Sequence, residues 1–110
     1  FTAFHPDYRM LDVEATPVST LRRAREIARE AGMRYVYTGN VRDLDGSTTH
    51  CHDCGKSLIV REGYRVADWA LDASGACTGC GTRCAGVFEA APGDWGARRR
   101  PVRLSAVAPA

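Results

Sequence analysis

The pattern of apolar and polar positions changes period along the first part of the chain. Apolar residues recur at spacings of three and four between positions 21 and 31, which predicts an amphipathic helix. Thr16 and Pro17 predict the start of this helix, with Thr16 as the N-cap, and Gly32 predicts its end. Residues 1–5 and 34–38 alternate instead, which predicts a strand on each side of the helix. Strand, helix and strand with short connections form a βαβ unit and imply a parallel sheet.

The second part of the chain has the pattern of a small antiparallel sheet. Residues 57–61 and 64–66 predict a hairpin with a two-residue turn, and residues 86–88 predict a third strand. Turn-forming residues at 43–47 place a domain boundary between segments 1–45 and 46–90. Trp69 is interpreted as a packing residue of the second segment. Residues 91–110, with Trp95, lack a periodic apolar face and are predicted to form a disordered tail.

Four cysteines form two Cys-x-x-Cys pairs, each followed by a glycine. They are Cys51, Cys54, Cys77 and Cys80. This spacing is typical of a four-thiolate tetrahedral site for zinc, and a single iron ion in the same sulfur cage is the alternative. Segment 46–90 is too short to fold on a hydrophobic core alone, so we expect the metal to stabilise it. Two such cysteine turns on a small sheet predict a rubredoxin-like zinc ribbon.

Other residues near these cysteines are interpreted more simply. Cys84, the fifth cysteine, is predicted to be a partly buried free thiol rather than a ligand. His50 and His52 flank Cys51, and we expect them to donate hydrogen bonds near the site rather than bind the metal.

Composition limits the classes of partner. The 110 residues carry a formal net charge of +2, and acidic residues balance the basic ones in segment 46–90, which argues against a nucleic-acid partner. No stretch approaches the roughly 20 apolar residues of a transmembrane helix, so no membrane partner is expected. Paired Cys-x-x-Cys motifs favour a metal site over disulfides and predict a reducing, cytoplasmic location.

Four stretches in order resemble the C-terminal part of radical SAM enzymes. They are Phe4–Met10, Thr16–Pro17, Tyr35–Val41 and Cys51–Gly55. The most similar group is the radical SAM proteins of the AmmeMemoRadiSam system, which are relatives of the pyruvate formate-lyase activating enzymes. The resemblance covers roughly residues 1–89 and implies a partial TIM-type barrel that binds S-adenosylmethionine and a [4Fe–4S] cluster. In that family a CxxxCxxC motif holds the cluster, and the sequence contains no such motif.

The resulting hypothesis is a C-terminal fragment of a radical SAM enzyme that is inactive alone. Its fold class would be α/β followed by small β: residues 1–45 would be the last βα units of the barrel, and 46–90 the zinc ribbon. The partners would be the rest of the barrel and a protein that docks on the ribbon. The competing hypothesis is a stand-alone zinc-ribbon module that binds a partner without catalysis.

Two polar residues would lie on the S-adenosylmethionine side of such a barrel. His5 ends the first predicted strand and Asn40 follows the second, at the face where barrel active sites are built. Each also has a structural interpretation: His5 would hold the following loop, and Asn40 would be a turn residue after Gly39. Tyr35 and Tyr37 share one face of the second predicted strand and are interpreted as packing residues.

Overall fold

The computed structural model describes residues 1–94, 96–99, 101 and 104. Within these residues the chain forms a helix α1 (Val18–Glu30) and three strands, β1 (Thr49–His50), β2 (Ser57–Glu62) and β3 (Arg65–Trp69). The strands form one antiparallel sheet in the order β1-β2-β3. No helix in this described part is long and apolar enough to cross a membrane. The prediction of a disordered tail, including Trp95, falls partly on residues outside those described.

The prediction of TIM-barrel units is wrong. Residues 1–5 and 34–38 form no strands, and the pairing beside them is limited to an isolated parallel bridge between Thr2 and Gly39. The backbone groups that would extend a ladder are used elsewhere. The carbonyl of Val36 accepts a hydrogen bond from the Arg25 side chain, and the Thr38 N–H donates to the carbonyl of Gly46. The chain is therefore a small α/β fold with an antiparallel sheet.

The helix starts without the predicted side-chain cap. Pro17 occupies the N-cap position, and no side chain accepts a hydrogen bond from the first turn. The Thr16 hydroxyl instead accepts a hydrogen bond from the Phe4 N–H at 2.9 Å. This bond holds together the two ends of the loop formed by residues 5–15. The C-terminal end follows the prediction, because Gly32 has a φ of 96° and Met33 donates its N–H to the Ala28 carbonyl.

The buried face of the helix overlaps only in part with the one predicted. Leu21, Arg25 and Ala28 are buried, whereas Ile27, expected in the core, is half exposed. The charge of Arg25 alone would favour the solvent-exposed face of an amphipathic helix. Arg25 is buried because its guanidinium group donates to the Val36 carbonyl at 3.0 Å and to the Asp45 carboxylate at 2.6 Å.

The hairpin is present, with its turn one residue later than predicted. Glu62 pairs with Arg65, so the two-residue turn is Gly63 and Tyr64 rather than Glu62 and Gly63. Gly63 has a φ of 61°, a conformation that glycine adopts without strain.

The prediction of a third strand at residues 86–88 is wrong. Its place beside β2 is taken by β1. Phe88 instead packs its ring edge-to-face on Trp69, with the centroids 6.2 Å apart. The core beneath the sheet contains three of the cysteines together with branched aliphatic residues: Cys51, Leu58, Ile59, Leu71, Cys77 and Cys84.

Candidate metal centre

Two turns of matching geometry present the four paired cysteines. In the first turn, Cys51 donates its N–H to the Lys56 carbonyl at 2.8 Å and accepts from the Gly55 N–H at 2.9 Å. The second turn repeats this pattern. Cys77 donates its N–H to the Thr82 carbonyl at 2.9 Å, and its carbonyl accepts from the Gly81 N–H at 2.8 Å. These glycines have φ values of 77° and 78°, which explains why a glycine follows each pair.

The four sulfur atoms converge on one point. All lie within 4.8 Å of one another, and the Sγ atoms of Cys51 and Cys80 are 3.6 Å apart, as are those of Cys54 and Cys77. A tetrahedral ion with metal–sulfur bonds of about 2.3 Å requires sulfur separations of about 3.8 Å. The arrangement fits a single metal ion, and the chain contains a four-cysteine metal-binding site. Sulfur atoms this close leave no room for the four irons and sulfides of a [4Fe–4S] cluster.

The surroundings of the thiols favour charge at the second turn. The Thr82 hydroxyl, 3.3 Å from Cys80 Sγ, and the Thr82 backbone N–H lower the pKa of Cys80 to about 6. The backbone N–H of Cys80 lowers the pKa of Cys77, and the Gly79 N–H, 3.3 Å from Cys77 Sγ, acts in the same direction.

In the first turn, the surroundings of Cys54 favour the protonated thiol instead. The Lys56 backbone N–H lowers the pKa of Cys54, but interactions with the other three thiols and desolvation outweigh it and raise that pKa to about 12. Close thiolates repel one another, so all four can ionise together only around a cation.

The other residues singled out from the sequence lie beside the site rather than in it. Cys84 is buried in the core and is outside the four-sulfur cluster. His50 approaches Asp45, with 3.2 Å between Nε2 and Oδ1, and His52 Nδ1 lies 3.3 Å from the Tyr35 hydroxyl. Neither imidazole belongs to the cysteine cluster.

His5 and Asn40, predicted from the resemblance, are brought together by the structure. His5 Nε2 lies 2.7 Å from the carbonyl oxygen of Asn40. The Asn40 side-chain amide donates to the Ala3 carbonyl at 3.0 Å, and its φ is 59°. The two residues therefore connect the segments on either side of the helix, and their predicted role beside S-adenosylmethionine stays a prediction.

Sequence reasoning missed the pair formed by Arg25 and Asp45. A buried arginine that joins a helix to the loop before the first cysteine turn has no local signal in the sequence. The hint that was available is the position of Arg25, one helical turn from both Leu21 and Ala28 on the buried face.

Comparison with known proteins found a longer archaeal relative. An uncharacterized protein of Methanocaldococcus jannaschii is 43% identical over 84 residues, which are 76% of this chain and 25% of that protein. The chain therefore spans about a quarter of the length of the curated relative it matches. No family model matches the sequence. No solved structure matches it either.

Proposed function

We propose that the four-cysteine site binds one zinc ion and that this ion stabilises the fold of residues 46–90. The observation that carries the proposal is the convergence of four sulfur atoms within 4.8 Å on two matching turns. Zinc sites with four protein ligands are closed and have no open position for a substrate, so the role is structural rather than catalytic.

Metal analysis of two matched variants tests this proposal. Cys54→Ser removes one sulfur ligand and should lower the bound zinc from one ion per chain to a small fraction. Cys84→Ser changes the cysteine outside the cluster and should leave the zinc content unchanged. Both proteins are purified without oxygen and measured by mass spectrometry for zinc and iron. Stoichiometric iron in the wild-type protein, or full zinc in Cys54→Ser, would contradict the proposal.

We further propose that the chain functions as the C-terminal part of a radical SAM enzyme. Three observations support this proposal. The four ordered stretches resemble that family, and the relative carries its matching segment in a chain about four times as long. The described residues bring His5 and Asn40 into contact at 2.7 Å.

In such an enzyme, reductive cleavage of S-adenosylmethionine at the cluster generates a 5′-deoxyadenosyl radical that abstracts hydrogen from a substrate. The cluster ligands would lie outside this chain, because its paired cysteines fit one ion and the family's CxxxCxxC motif is missing. The zinc-binding segment would contact the remainder of the enzyme or its protein substrate.

The experiment compares the 110-residue chain with a longer protein that contains it. Each is reconstituted with iron and sulfide without oxygen and reduced with dithionite, and 5′-deoxyadenosine is measured by chromatography. We expect product from the longer protein alone. In that protein His5→Ala should weaken S-adenosylmethionine binding, measured by calorimetry, and leave the zinc content unchanged. A longer protein without cluster or product would instead support the stand-alone binding module.

A further inference from the structure

A cleft separates the C-terminal half of α1 from the first cysteine turn. Its volume is about 600 Å³, within the range of sites for small ligands. The floor is the segment 33–37, and the far wall is formed by residues 50–55. The cleft adjoins the metal centre, because Cys51 and Cys54 contribute to its wall.

Three arginines line this cleft, and two of them form no hydrogen bond or salt bridge among the described residues. Arg25 donates to the Val36 carbonyl and is paired with the Asp45 carboxylate. Arg29 and Arg34 are exposed to the cleft, and in the described part of the chain neither guanidinium group forms a salt bridge or a hydrogen bond. A guanidinium group has five donors in a planar fork that matches the oxygens of a phosphate group.

Two carboxylates lie near the cleft. Asp45 is paired with Arg25, whereas Asp53 on the rim accepts a hydrogen bond at 3.1 Å from the Thr82 hydroxyl, a neutral donor that does not offset the charge of the carboxylate. A zinc ion with four thiolates has a net charge of −2, which weakens the long-range attraction of an anion to this face. An anion in the cleft would therefore depend on direct contact with Arg29 and Arg34 rather than on a positive field.

Flat side chains lie beside these arginines. Tyr35 and His52 meet edge-to-face with their centroids 6.2 Å apart, and Tyr37 and the half-exposed Met33 complete this part of the lining. Rings next to guanidinium groups suit a ligand that combines a flat base with an anion. We propose that the cleft binds a phosphate-bearing ligand of nucleotide size, with Arg29 and Arg34 on the phosphate and the aromatic side chains against the base.

Titration of the zinc-loaded 110-residue protein with three probes tests this proposal. Adenosine 5′-monophosphate, inorganic phosphate and adenosine are added at low salt, and backbone amide signals are followed by NMR. The nucleotide should shift signals of residues 29–37 and 50–55 and bind more tightly than either part alone. The double variant Arg29→Gln/Arg34→Gln should weaken binding at least about tenfold, because it removes the charge-assisted hydrogen bonds.

A charge-matched control separates the cleft from the general field of the protein. Arg23→Gln/Arg42→Gln removes the same charge outside the cleft and should change the affinity by less than about twofold. An equal loss of affinity in both double variants would overturn the proposal. So would nucleotide binding no tighter than phosphate binding, or shifts outside the cleft. Zinc content and amide spectra of each variant show that the fold is intact, so the result is independent of the proposed metal and its role.

Discussion

At the scale of single residues, side-chain hydrogen bonds decide where the backbone can pair. The Arg25 guanidinium group donates a hydrogen bond to the Val36 carbonyl, and the Thr16 hydroxyl accepts one from the Phe4 N–H. Both backbone groups belong to stretches that the sequence pattern assigns to strands. Their side-chain partners lie 11 and 12 residues away in sequence, beyond the window in which propensity and periodicity carry information.

Arg25 is a residue outside the metal site whose removal should lower the stability of the fold. Arg25→Ala leaves the Val36 carbonyl without its donor in a buried position and is expected to lower the free energy of unfolding by about 1–3 kcal/mol. Arg23→Ala is the control, because Arg23 is exposed and its salt bridge among the described residues is with exposed Glu26. It should change stability by less than about 0.5 kcal/mol. Urea unfolding of both zinc-loaded variants, followed by circular dichroism, measures the difference. Equal stability of the two variants would contradict a structural role for the buried arginine.

At the scale of elements, the cysteine turns and the hairpin were predictable because their determinants are local. A Cys-x-x-Cys pair with a following glycine specifies one turn within five residues, and both turns form in that way. The hairpin was off by one residue, because Gly63 can be the first or the second turn residue. The third strand was not predictable from residues 86–88, since its place depends on whether β1 or that segment reaches β2.

The first turn of α1 offers a test of helix capping. Pro17 has β-region dihedrals but no side-chain acceptor, and the first turn contains no acidic residue. Pro17→Asp supplies both an acceptor for the free N–H groups and a negative charge at the helix N-terminus. The Pro17→Asp protein should be more stable than the Pro17→Ala protein by about 1 kcal/mol. Both variants lose the proline ring and gain similar backbone entropy in the unfolded chain, so this contribution cancels in the comparison. Thermal unfolding of the zinc-loaded proteins checks the order, and equal midpoints would contradict it.

The pH dependence of zinc affinity reports whether the two cysteine turns stay folded without metal. In an unfolded apo chain, thiols with ordinary pKa values near 8.5 are mostly protonated at neutral pH, so binding releases close to four protons. From about pH 7 upward, a folded apo site would keep Cys80, whose pKa is about 6, largely ionised and would release about three protons or fewer.

We expect the apo turns to be unfolded, so the logarithm of the zinc affinity should rise by close to four per pH unit between pH 6 and 7.5. The sign follows from competition, since protons occupy the thiolates at lower pH and displace the metal. Competition with a chromophoric chelator across this range measures the slope. A slope of three or less would mean that the turns persist without the ion.

At the scale of the whole molecule, polar contacts connect the helical segment to the metal-binding segment. The Tyr37 hydroxyl lies 2.8 Å from the Thr49 hydroxyl, and the Ala85 N–H donates to the Tyr35 hydroxyl at 3.0 Å. The fold as a whole was not predictable from the sequence because these contacts span 12 to 50 residues. Through these contacts, removal of the metal from one segment would also destabilise the other segment.

Removal of the metal should weaken the helix as well as the sheet. A 13-residue helix is marginal in water without packing, and several polar groups that fix α1 and its following segment lie between Asp45 and Ala85. Chelation under reducing conditions should therefore raise amide hydrogen exchange more than tenfold in β2 and β3 and measurably in α1.

The variant Tyr37→Phe provides the matched comparison, because it removes the hydroxyl contact with Thr49 and keeps the ring. In the zinc-loaded state it should raise exchange in residues 36–39 while β2 and β3 stay protected. Mass spectrometry of peptides from α1, from residues 33–40 and from the hairpin resolves the three regions. If α1 keeps its full protection after chelation while the hairpin loses its own, the two segments are independent units, and the contacts between them contribute little to stability.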